Sequence, residues 1–232
     1  MKIAYFTAAV VSTLLFISCN KTENVAVDQP YILDEEFINN DLGWQDVDTS
    51  GPQNKYFQKL VTEGNGIYSV AFFSVFGSPT YATTSVDIGL KHNKNYILSS
   101  NLTFTNEVSK LDKSSGIMWD ISGNDDSNFF KVGTGYDPIT KKGQLYIQRV
   151  KGGSISSLLE DEIEFEMPTP VANIRVEKTT NTETLNSISV WINGANLVEI
   201  DSLVFETPGK VGLNSAQGSE VNYHNIRVTQ EL

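Results

Sequence analysis

The sequence predicts an all-β fold built as two packed antiparallel sheets, and three observations carry that prediction. From Tyr31 onward no segment sustains helical periodicity, while short runs rich in Val, Ile, Phe and Tyr recur along the chain. Gly, Asn, Asp and Pro separate those runs at short intervals, which is turn chemistry. At 232 residues the chain has the length of one large sandwich domain.

Taken in order, the predicted strands are YILDEEF from Tyr31, KYFQKLV from Lys55, IYSVAFFS from Ile67, NYILSSNLTFT from Asn95, GIMWDIS from Gly116, NFFKVG from Asn128 and QLYIQRV from Gln144. They continue with EIEFEM from Glu162, ANIRVEK from Ala172, SISVWI from Ser187, NLVEI from Asn196, KVGL from Lys210 and HNIRVT from His224. Gly64–Gly66 and the Asn193-Gly194 pair supply the positive φ angles that tight hairpins need. GTGYDPITKKG, from Gly133 to Gly143, reads as a longer loop whose Tyr136 is placed to stack on a sugar or to cap the sheet. There is no internal repeat and no low-complexity tract.

Alternation assigns faces within each strand. Ile188, Val190 and Ile192 share one face of SISVWI, with Trp191 opposite. In GIMWDIS, Ile117, Trp119 and Ile121 share a face, leaving Met118 and Asp120 on the other. Gln144, Tyr146, Gln148 and Val150 lie together in QLYIQRV, opposite Leu145, Ile147 and Arg149. A surface combining Tyr146 and Gln148 with Trp191 has ring faces to stack on sugars and amides to bond their hydroxyls, and Asp120 and Tyr136 join it as further candidates. The same residues also suit an ordinary half-exposed sheet surface.

The segment MKIAYFTAAVVSTLLFISC has a positive start at Lys2, an apolar run shorter than the roughly 20 residues of a membrane span, and small Ser18 before Cys19, the one cysteine. Its ending resembles the lipobox of bacterial lipoproteins, with Phe16 where Leu is usual. The resemblance implies a signal peptide over residues 1–18, a lipidated Cys19 with a polar tether to Pro30, and a folded domain over 31–232. It places the protein in a bacterial cell envelope, anchored by lipid at the outer membrane on its periplasmic or its outward side and without a transmembrane helix. The net charge is −11, and without Lys2 there remain 16 basic against 28 acidic residues, which argues against a nucleic-acid partner.

The order LDEEF…GW, GIMWD, NFFKV…GQLYIQRV, VWING and GKVGL…HNIRV resembles the LamG-like jelly-roll domains of the concanavalin A-like lectin/glucanase superfamily. It spans about Leu33 to Thr229, with His224 where the closing strand of those domains often has Asp. The resemblance implies one concave and one convex sheet, and binding at the concave face or the loop rim. It names no single function, because lectins, glycosidases and adhesion modules share this architecture.

Glu162, Glu164 and Glu166 alternate onto one face of EIEFE, and the stretch is similar to the Glu-x-Asp-x-Glu strand of family 16 glycosidases. Retaining hydrolysis requires carboxyls about 5–5.5 Å apart, whereas residues four apart on a strand lie about 13 Å apart. Acidic residues continue upstream through Glu160 and Asp161, and Pro168 and Pro170 follow, so the segment also reads as a solvated edge strand. His92 and His224 are the only histidines and lack metal-ligand company, so no zinc is expected. Asp125 and Asp126 are calcium candidates in a rim loop, with a solvated turn the simpler reading. No cofactor is expected. The expected function is non-catalytic binding of a polysaccharide or oligosaccharide, or an envelope interaction module; the alternatives are a glycoside hydrolase, family 16-like or similar to 3-keto-disaccharide hydrolase domains, and a structural subunit that binds a protein partner.

Overall fold

The structure, a computed structural model, describes residues 31–48, 56–64, 66–74, 81–105, 114–123, 126–182, 184–207 and 209–232. The expected leader, Cys19, the tether and Asp125 lie outside the described residues. Among the described residues the chain forms β1 (Tyr31–Glu35), β2 (Val47–Asp48), β3 (Tyr56–Gly64), β4 (Ile67–Ser74), β5 (Tyr81–Leu90), β6 (Tyr96–Phe104), β7 (Ser115–Ser122) and β8 (Asn128–Asp137). The second half adds β9 (Lys142–Lys151), β10 (Ser154–Ser157), β11 (Ile163–Glu166), β12 (Val171–Thr180), β13 (Asn186–Ile192), β14 (Ala195–Leu203), β15 (Gly209–Ala216) and β16 (Ser219–Gln230). All pairings are antiparallel.

Sheet A runs β14-β13-β12-β6-β16-β4-β3-β2, with β1 also on β16; sheet B runs β10-β9-β8-β7-β15-β5, with β11 also on β9. Between them lies one apolar core. Leu98, Leu102, Ile174, Val176, Ile188 and Val190 from sheet A meet Ile117, Trp119, Val132, Ile147, Val211 and Leu213 from sheet B. Each such side chain contributes about 1.5–3 kcal/mol on burial. The turn predicted at Asn193-Gly194 has φ of 51° and 83°, both positive as a tight hairpin requires.

The acidic-aromatic opening and Gly-Trp motif prove to be a structural clasp. Glu35, 7% exposed, accepts the Phe37 backbone N–H at 2.7 Å and the Trp44 indole N–H at 3.3 Å. Phe37 and Trp44 then pack with Tyr68 of β4. A buried carboxylate with two donors is stabilising where an unpartnered one would cost several kcal/mol.

Sequence reading passed over β2, β5 and β10. The most consequential is β5, whose inward positions Ala82, Thr84 and Val86 are small or part-polar and give a weak apolar signal. The 133–143 loop is also shorter than expected, because β8 continues to Asp137. Phe130, Val132, Thr134 and Tyr136 alternate inward along it. Tyr136 is therefore fully buried, packs against Phe104, and is not available to a sugar.

Candidate functional site

Strand alternation fixes what each sheet shows on the face turned away from the core. Trp191 lies on the outer face of sheet A, half-buried beside Arg175, as its opposition to Ile188, Val190 and Ile192 requires. Tyr146 and Gln148 lie on the outer face of sheet B. The combined surface of the three is thus corrected: the core separates Trp191 from the other two.

Asp120 also leaves the expected surface. β7 bulges after Trp119, and Asp120 takes a φ of 55°, which turns Ile121 outward and Asp120 inward. There its carboxylate, fully buried, accepts Arg149 Nη1 at 2.5 Å, the Glu206 backbone N–H at 2.8 Å and the Thr207 backbone N–H. His92 Nε2 stands 3.5 Å from the same carboxylate and 2.7 Å from the Thr207 carbonyl. Burial by itself would raise the Asp120 pKa, but the hydrogen bonds from His92, Thr207 and Arg149 outweigh it and hold the carboxyl below its ordinary value. Asp120 is a structural hub with its bonding capacity used by the chain itself.

The open feature on sheet B lies at its split edge. β10 pairs with β9 as far as Ser157 opposite Gln148, and β11 resumes at Ile163 opposite Leu145. Only Leu158 stays bonded in between, its N–H on the Ile147 carbonyl at 2.8 Å. Residues 158–162 therefore span two β9 residues and bow away from the sheet. The bow leaves a groove of about 310 Å³ over Gln144, Tyr146 and Gln148, walled by Ser157, Leu159, Glu160, Asp161 and Glu162. A half-exposed ring, two amides and exposed carboxylates converge there, a donor and acceptor set suited to a polyhydroxylated ligand.

Of the acidic trio, Glu164 and Glu166 share one face of the edge strand β11, as alternation requires, whereas Glu162 precedes the strand at the end of the bow. Ile163 and Phe165 pack toward the core, and the Phe165 ring lies over Gly143, where a Cβ would stand 2.4 Å from its Cζ. Glu164 is exposed and ion-paired to Lys142 at 2.7 Å, and the register puts Glu166 opposite Lys142. Of the three, only Glu162 reaches the groove, beside Glu160 and Asp161. Asp126, one of the two calcium candidates, is bonded to Ser85 and paired with Lys210 at 3.0 Å. Among the described residues no three His, Cys, Asp or Glu side chains gather as metal ligands. His224 lies on the outer face of sheet A, its Nε2 2.8 Å from Thr103 Oγ1.

Sequence reading missed two buried polar residues on the outer face of sheet B. Lys131 of β8 is 2% exposed, and burial lowers its pKa to about 7. Asn214 of β15 is fully buried with neither side-chain atom hydrogen-bonded. The signals were present as one lysine amid the aromatic and aliphatic residues of NFFKVG, and one amide directly after the apolar run of GKVGLN.

No family model matches the chain, and no curated protein matches it in sequence. Its fold matches solved structures along nearly their whole length. A Bacillus licheniformis β-glucanase aligns with a TM-score of 0.52 at 16% identity, over 86% of this chain and 98% of its own. The Emp47p carbohydrate recognition domain gives 0.51 at 11%, over 89% and 99%. A galectin-like protein from Bacillus subtilis gives 0.52 at 9%, over 87% and 96%. At such identities the likeness speaks to fold, and the fold is the concanavalin A-like jelly-roll sandwich that the order of motifs implies.

Proposed function

We propose that the protein is a glycan-binding module of the bacterial cell envelope, taking a sugar chain on the outer face of sheet B through the groove over Tyr146. The observation that carries this reading is the convergence of Tyr146, Gln144 and Gln148 under the bowed 158–162 segment. A sugar ring stacks on the tyrosine face while the amides and groove carboxylates bond its hydroxyls. Carbohydrate-recognition and glucanase domains among the structures of similar fold support a sugar as ligand. The lipobox-like LLFISC supports a lipid anchor at Cys19, which would keep the module at a surface where polysaccharides are met. Palmitate labelling of the wild type and its loss in Cys19→Ala test the anchor.

Affinity electrophoresis through gels that each contain one polysaccharide tests the binding, with staining for clearing afterwards. Retardation in at least one gel without clearing is expected. Clearing around the band would instead favour hydrolysis centred on Glu162, the one member of the acidic trio in the groove. Neither retardation nor clearing across a broad panel would overturn the glycan reading in favour of a protein partner.

A further inference from the structure

The outer face of sheet B carries polar groups whose needs the chain itself leaves unmet. The register β5-β15-β7-β8-β9 lines up Thr83, Asn214, Gly116, Gly133 and Tyr146 in one row across the sheet. The next row is Ser85, Gly212, Met118, Lys131 and Gln148. Directly opposed residues of antiparallel strands project from the same face, so Asn214, Lys131, Tyr146 and Gln148 share it. Gly116 and Gly133 are needed because β7 and β8 approach closely; a Cβ on Gly116 would stand 2.1 Å from the Val132 carbonyl oxygen. Their lack of side chains leaves only backbone, itself buried, between Asn214 and Tyr146, three strand spacings or about 14 Å apart.

Three groups around this strip are buried and lack a partner among the described residues. Asn214 has both amide atoms without partners, the Gln148 Oε1 is buried without a donor, and the 98% buried Lys131 has no ion pair among the described residues. Tyr146 ends the first row and Gln148 the second, and both line the groove, so the two rows start at its floor. A buried lysine flanked by Met118 and an unsatisfied amide is held in its charged form by an anion placed on it, and empty amide donors and acceptors call for hydroxyls. The surroundings also limit that anion. The chain carries a net charge of −11 and the groove wall holds Glu160, Asp161 and Glu162, so a polyanion is repelled along most of its length.

Building on the groove as a glycan site, we propose that its ligand is a largely neutral sugar chain bearing one acidic sugar unit, whose carboxylate sits on Lys131 and whose hydroxyls bond Asn214 and Gln148. The full-length chain, probed on a printed array of matched oligosaccharide pairs, each neutral chain beside the same chain ended by one uronic acid, tests this. The acidic member of at least one pair is expected to bind about tenfold more tightly than its neutral partner, as a charge-assisted contact implies. Lys131→Met should erase the preference and Lys131→Arg should retain it. Asn214→Ala, the second variant, should weaken binding of the acidic chain several-fold without lowering the melting temperature; a lower melting temperature with unchanged binding would make Asn214 purely structural. Equal binding of both pair members, a preference that survives Lys131→Met, or stronger binding of polygalacturonate than of the single-acid chains would overturn the inference while leaving the groove as a glycan site. Absence of binding to every array member would overturn both.

Discussion

The two outer faces of the sandwich share a core and differ in nearly everything else. Sheet A turns Ser99, Asn173, Arg175, Trp191 and Arg227 toward water, and its charges are matched locally: Arg175 with Glu177 at 2.6 Å, and Arg227 with Asp34 at 2.6 Å and Glu36 at 2.8 Å. Sheet B buries its outer face instead, with a small apolar cluster of Met118, Ile121, Phe129 and Val150 joined by Tyr81. Among those apolar residues stand Lys131 and Asn214 without partners. On sheet A the arginine charges are thus satisfied by the chain's own carboxylates. A face that holds buried, unsatisfied lysine and amide groups next to a groove is incomplete by itself, and that is why the proposed site lies on sheet B, although sheet A carries the half-buried Trp191 with an unpaired indole N–H and a groove of about 360 Å³ over Ser99, Asn173, Arg175 and Arg227.

The largest expected effect separates stability from either face. Asp120→Asn breaks the buried network of Arg149, His92 and the 206–207 backbone, and should cost about 3–5 kcal/mol in denaturant unfolding. It should leave glycan preference intact in the fraction that folds. Because the Asp120 carboxyl is held below its ordinary value, the wild type keeps this contribution at neutral pH and loses it only as pH falls through that lowered value.

Next in size is the pH dependence that Lys131 imposes on sheet B. The unfolded chain holds this proton up to about pH 10.4, while the folded chain releases it near 7. Between those values the unfolded state binds more protons, so stability rises with pH, by up to about 1.4 kcal/mol per unit. Lys131→Met should flatten that rise and stabilise the protein at pH 7 and below, measured by unfolding across pH 6–10. An unchanged slope would mean that Lys131 stays charged and solvated, and the contrast between the faces would weaken.

The smallest expected effect is at the acidic edge. Glu164→Gln removes an exposed ion pair with Lys142 and should change stability by less than about 1 kcal/mol. Glycan retention should not change either, since Glu164 lies outside the groove. A marked loss of retention would extend the binding surface along β11.

Most of the fold was legible because alternation of Leu, Ile, Val and aromatic residues reports which side of a strand is buried. β5 was not, because Thr83, Thr84 and Ser85 blur that alternation. The site was legible in pieces. Gln144, Tyr146 and Gln148 do share one face, since they belong to one strand. Adding Trp191 failed for a physical reason: period-two alternation orders residues within a strand but does not say which sheet the strand joins. Asp120 and Tyr136 failed through a single bulge and a strand four residues longer than predicted. The groove depends on a five-residue bow between two short edge strands, for which the local sequence SLLEDEI offers no distinct periodic signal.

The most direct measurement compares Tyr146→Ala with Trp191→Ala on the polysaccharide that retards the wild type. Loss of one stacking ring is worth about 1–2 kcal/mol, or roughly tenfold in affinity. The account predicts that loss for Tyr146→Ala and retention within about twofold of wild type for Trp191→Ala. Loss of retention in Trp191→Ala with Tyr146→Ala unchanged would put the glycan on sheet A and contradict it.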